Sequence, residues 1–169
     1  MNNHLRDELL ERVEKEQKLR FELNENPDDV QLMMRMIETD AQNTIWLDEA
    51  IMQYGWPGKS LVGEDGAKAA FLIAQHSPSL VFQKKCLALL EMAVNQDDGD
   101  VKNLAYLTDR VRVAEGRQQI YGTQGTEING VIVPFPIEDE EHVDERRKAI
   151  GLEPIAEHFK GMNEFYKMK

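Results

Sequence analysis

Between Leu5 and Leu23 the apolar residues Leu5, Leu9, Val13 and, past Gln17, Phe21 return at helical spacing among Glu, Lys and Arg. This predicts an amphipathic helix with a thin apolar stripe, an outer arm over residues 1–24 that precedes a core of residues 28–169. Asn26-Pro27 followed by Asp28 and Asp29 predicts the start of a second helix, with a cap, a proline in the first turn and acids at the positive dipole end. The apolar pattern runs on through Met33, Met34, Ile37, Ala41, Thr44, Ile45 and Leu47 to about Gln53, where Tyr54-Gly55-Trp56-Pro57-Gly58 stops it. Asp65 can cap a third helix over Ala67–Ala74, apolar nearly all round and so expected to be central. Ser77-Pro78 ends it and opens a fourth, Leu80 to about Asn95.

A fifth helix is expected from Val101 to about Glu115, with Leu104, Leu107, Thr108 and Val111 on one side and Tyr106, Asp109, Arg110 and Val113 on the other. Gly116 closes it. Gln119–Gln124 and Val131-Ile132-Val133 are rich in strand formers, and Asn129-Gly130 between them is a strong hairpin signal. The acid-to-base run from Asp139 to Lys148 matches a helix dipole, and Ile155, Phe159, Met162 and Tyr166 share one face of a last helix. The expectation is a mainly α, single-domain multi-helix bundle over residues 1–169, with one small β-hairpin near residues 117–134.

Length and composition narrow the picture further. With 169 residues and 41% hydrophobic content the chain can bury a core of its own. Its 20 Lys+Arg against 31 Asp+Glu give a net charge of −11, which opposes binding to nucleic-acid phosphates or an anionic membrane. The charged N-terminus has no apolar stretch of signal or anchor type, and Cys86 stands alone, so a cytoplasmic location is expected, with no disulfide framework.

The polar residues that do not resemble ordinary surface fall in three segments, Trp56 to Gly63, Gln75 to Gln83 and Tyr106 to Gln124. His76, at a helix end beside Gln75 and Gln83, is a candidate general acid/base, or else a cap on free carbonyls. Tyr106, Asp109 and Arg110 share a helix face on which Asp109 could orient a base or substrate and Arg110 could hold an anionic group; the alternative is a solvated face. Gln119 and Tyr121-Gly122-Thr123-Gln124 offer a glycine among hydrogen-bonding side chains, suited to a binding loop or to a structural bulge. Trp56 completes the candidate ligand-binding set. Trp56-Pro57-Gly58-Lys59-Ser60 lacks the glycine pattern and preceding strand of a phosphate loop. The scattered His4, His76, His142 and His158 give no metal-ligand spacing, no serine has a nucleophile's context, and no cofactor is implied. Met33, Met34 and Met36 are read as core filling or a helix contact.

Taken in order, Gly55-Trp56-Pro57-Gly58, Ala74-Gln75-His76, Ala105-Tyr106-Leu107-Thr108-Asp109-Arg110 and Tyr121-Gly122-Thr123-Gln124, with Pro136-Ile137-Glu138-Asp139 and Arg146-Arg147, resemble an uncharacterised bacterial family of small proteins, a domain of unknown function. The resemblance runs from about Asp40 to Pro154. It implies that the Gln75-His76, Asp109-Arg110 and Tyr121-to-Gln124 segments belong to a shared pattern, and it supplies no reaction. The sequence therefore supports two expectations. One is an enzyme or ligand-binding protein for a small polar molecule or peptide end, with His76 and Asp109 as its acid/base centre. The other is a non-catalytic acidic interaction, immunity or regulatory protein that engages a protein partner.

Overall fold

The computed structural model describes residues 1–167, with side chains through residue 164. The fold is mainly α-helical with one two-stranded antiparallel hairpin. It divides into two compact units, Met1–Asp100 and Val101–Lys169, each built around its own core.

In the first unit, α1 (Asn3–Glu25), α2 (Val30–Tyr54), α3 (Lys59–His76) and α4 (Leu80–Asn95) follow one another. Asn2 caps α1 by accepting from Leu5 N. Rather than standing off as an arm, α1 packs on α2 and α3 and buries Leu5, Leu9 and Leu19. The expectation underrated it because Glu16, polar in sequence, completes the buried face. The second helix begins at Val30, not at Pro27: Asp29 is its cap, and Asn26 instead closes α1 with its backbone N–H.

The third helix begins at Lys59, eight residues before the expected start. Asp98 supplies the cap that Gly58 lacks, taking Ser60 N on its carboxylate at 2.6 Å and Lys59 N on its backbone oxygen at 2.9 Å. Gly63, at φ +77°, breaks the helical path four residues in, and α3 resumes toward His76. Asp65 accepts from Gly66 N at 2.8 Å where the helix resumes, and it also holds the Arg6 guanidinium, with Arg6 Nε at 2.9 Å. Val62, Ala69, Ala70, Phe71, Ile73 and Ala74 are buried, as an all-apolar helix requires. Ser79, not Ser77, caps α4, accepting from Phe82 N at 3.3 Å. Met33 and Met34 are exposed, so core filling is not their role.

The second unit opens with α5 (Val101–Ala114), followed by β1 (Gly125–Ile128), β2 (Val131–Pro134), a 3-10 turn at Glu140–His142, α6 (Val143–Ala149) and α7 (Ile155–Lys167). Asn129 and Gly130, both at positive φ, make the two-residue turn that pairs Ile128 with Val131 and Gly125 with Pro134. The first strand is thus Gly125–Ile128, not Gln119–Gln124. Residues 119–124 form a loop, with one isolated β-bridge from Gln119 to Ile137. Asn163 of α7 accepts from Ile132 N at 2.7 Å and donates to Ile132 O at 2.9 Å, which docks the hairpin on that helix. Phe159 is buried on the same helix; the expected inward turn of Tyr166 lies outside the described residues.

Candidate functional site

The candidate residues lie in both units, and each unit's set is described by itself. In the first unit His76 ends α3, and its Nδ1 lies 2.5 Å from Oε1 of Glu16, a residue of α1 with no exposed surface. The same Glu16 oxygen accepts from Arg20 Nε at 2.6 Å, one helical turn on, and Arg20 Nη2 reaches Asp40 of α2 at 2.8 Å. Four ionisable groups from three helices therefore meet inside this unit. Burial pushes the Glu16 carboxyl up, but His76 and Arg20 outweigh it and hold the group below its ordinary range. For Asp40, burial wins over Arg20 and raises the carboxyl. Glu16 Oε2, Asp40 Oδ1 and Gln75 Oε1 are buried acceptors with no hydrogen-bond partner in the structure, and His76 Nδ1, at ion-pair distance from Glu16, is not in hydrogen-bond geometry with it.

Gln83 has a different task. Its Nε2 donates to Gln75 O and Ser77 O, both at 3.0 Å, closing the α3 end. The amide thus does the capping that the sequence offered to histidine, and His76 is left to pair with Glu16. Ser77, also buried, shares a hydrogen bond with Thr44 of α2 at 2.9 Å. Trp56 is half-buried in the turn ahead of α3. Cys86 is buried in α4, and desolvation pushes its thiol up to about 12, which leaves no thiolate for chemistry.

In the second unit Asp109 of α5 has no exposed surface. Its carboxylate accepts from Ile120 N at 2.8 Å, Tyr121 N at 3.1 Å, Thr123 N at 2.9 Å and Thr123 Oγ1 at 2.9 Å. The loop is wound around this anion. Gln119, equally buried, accepts from Gln124 N at 2.6 Å and donates to Gln124 O and Phe135 O at 2.9 Å, so it ties the loop to the chain leaving β2. Arg147 of α6 donates to Tyr121 O at 2.7 Å and Glu153 O at 2.6 Å, while Arg146 takes Ile120 O at 2.8 Å. Burial lowers the Arg147 pKa and raises that of Tyr106, whose ring meets His158 edge-on at 6.1 Å. Arg110 and Tyr106 are half-buried, and Gln124 Nε2 donates to Thr123 Oγ1 at 3.0 Å.

The sequence named Asp109, Gln119, Tyr121, Thr123 and Gln124 together, and the structure brings them together, with hydrogen bonds that run among themselves. It missed Glu16, Arg20, Asp40 and Arg147. Glu16 had one readable sign: seven residues after Leu9 and three before Leu19, it falls on the Leu5–Leu9–Leu19 side of its helix.

Gly122 carries the sharpest steric demand in the loop. Its φ is +64°, and an added Cβ would stand 2.6 Å from Ile155 Cδ1 and 2.8 Å from Ile137 Cδ1. Gly122→Ala is expected to cost about 1–3 kcal/mol through left-handed strain and crowding, read as a lowered melting temperature. An unchanged melting temperature would mean that the loop has room to move.

Fold and side-chain chemistry define a small helical domain protein with a buried ion cluster in one unit and a carboxylate-centred loop in the other. The chain belongs to a family of unknown function, DUF6624, whose profile matches residues 3–169. Comparison with curated proteins gave no match, and comparison with solved structures gave none. Among the described residues no cluster has the make-up of a metal site, and no helix is long and apolar enough to cross a membrane.

Proposed function

We propose that this is a cytoplasmic bacterial protein that binds a small polar molecule or peptide end through the first unit, with His76 as its proton-exchanging group and Glu16 as the residue that orients the ring. The contact of His76 Nδ1 with the buried Glu16 carboxylate carries this reading. A carboxylate beside one ring nitrogen holds the ring's orientation and leaves Nε2 for a ligand, the placement that acid–base histidines use. Asp109 and its loop then act as the scaffold of the second unit, while Tyr106 and Arg110 remain proposed ligand contacts.

The test is a thermal-shift screen of amines, amino acids and short peptides against the full chain, repeated on His76→Gln and Glu16→Gln. A ligand that stabilises the parent, shifts the His76 ring signals in NMR and loses its effect in both variants is the expected result. Hits that both variants retain, with an unmoved His76 ring, would reject the site.

The second reading, an interaction protein, draws support from the exposed apolar residues of α2, among them Met34 and Ile37. Removal of residues 1–23 does not separate the two readings, because that segment fills the core of its unit.

A further inference from the structure

The helix α2 has two apolar faces. One turns inward with Asn43, Leu47, Ala50 and Ile51. The other carries Val30, Met34, Ile37, Ala41, Ile45 and Met52, whose intervals of three to four residues, with one double interval, keep them in a single stripe. All but Ala41, which is half-buried, are largely exposed, Met34 at 66% and Met52 at 70%. Soluble surfaces rarely leave such a stripe uncovered over 23 residues, about 33 Å of helix.

We propose that this stripe is covered by a second copy of the same chain, the two α2 helices lying antiparallel and crossing at Ala41. The stripe is symmetric about that residue except at Met34, seven positions before it, whose counterpart seven positions after is Asp48. Ile37 and Ile45 stand four positions to either side and Val30 and Met52 eleven, so a twofold axis at Ala41 sets Ile37 on the other copy's Ile45 and Val30 on its Met52. The small side chain at the crossing allows close approach of the two backbones. Charge selects the direction. A parallel pair would set Glu38, Asp48 and Glu49 each against its own copy, whereas the antiparallel pair brings Arg35 near the other copy's Glu49. Asp48, the one acid within the stripe, is already neutralised by Lys85 of α4 at 2.5 Å.

The area is sufficient. Six exposed side chains of this size, Met33 included, offer roughly 600–700 Å² per chain, so the pair would bury about 1,300 Å², within the range of specific interfaces. Val81 and Met92 of α4, exposed at 81% and 58%, share a helix face with Lys85 and widen the patch beside Asp48.

Sedimentation velocity on the full chain at micromolar concentration should show twice the chain mass, and Ile37→Glu should return it to the single mass while keeping the helical circular dichroism and melting temperature. Single cysteines report the geometry, since Cys86 is buried. Ala41→Cys should form an intermolecular disulfide readily, and Met52→Cys only when mixed with Val30→Cys. A monomer at these concentrations, a dimer indifferent to Ile37→Glu, or ready self-linking of Met52→Cys would overturn the proposal. A monomer would leave the stripe to a different protein.

Discussion

Asp109→Asn should destabilise the second unit by about 3 kcal/mol, although it changes neither shape nor volume. The wild-type carboxylate receives three backbone N–H groups and one hydroxyl from Ile120, Tyr121 and Thr123. An amide in its place presents its own N–H₂ to part of that set, so donors face donors and two or more remain unpaired in a dry site, each costing about 1–3 kcal/mol. Asp109→Ala should cost as much or more, since all the donors lose their partner. Trp46 and Trp56 both lie in the first unit, so the measurement is amide hydrogen exchange, with protection at Ile120, Tyr121 and Thr123 collapsing first. Unchanged protection in Asp109→Asn would remove the anchoring role and restore Asp109 as a candidate for chemistry.

The second large effect is expected at Glu16. Glu16→Ala strips the anion from between His76 and Arg20 and leaves a void beneath α1, and loss of one member of a buried ion cluster costs about 3–5 kcal/mol. Glu16→Gln keeps the volume and should cost less. The pH dependence follows from the direction of its shift. Because the folded-state carboxyl is held below its ordinary value of 4.5, its stabilisation is fully present above that pH and is lost as the pH falls through the lower folded value. Asp40 works in the opposite sense, since its carboxyl is raised and takes up its proton more readily in the folded state. The gap in urea-unfolding stability between parent and Glu16→Gln should therefore be widest above pH 4.5 and narrow below it. A gap that widens on acidification would mean that Glu16 is not held as a carboxylate in the fold.

The two effects also divide the labour between the polar groups. Asp109, Gln119 and Arg147 spend their hydrogen bonds on backbone, which makes the Tyr121–Gln124 segment rigid and leaves little capacity for a ligand. Buried side-chain atoms without a partner remain in both units, Glu16 Oε2, Asp40 Oδ1 and Gln75 Oε1 in the first and Arg147 Nη2 and His158 Nε2 in the second.

Helical periodicity, the hairpin dipeptide and the glycine stops determined the number, kind and order of most elements. These signals are local: each depends on residues within a few positions, and Asn129-Gly130 fixed its own turn whatever else the chain did. They failed where a distant residue intervened. Asp98 moved the start of α3 back to Lys59, and Asp109 drew the amides of Ile120 to Thr123 away from a strand. Polarity misled in the same way. Asp109 stood out as a candidate to orient a base or substrate, with a solvated face as the alternative, and Glu16 looked like one of many acids on an arm, because sequence shows the charge of a residue but not which groups will be folded over it. Tertiary structure alone decided that these two carboxylates are buried. The reason is that a buried charge is tolerated only where donors converge on it from segments far apart in the chain: α1 and α3 around Glu16, and the loop after α5 around Asp109.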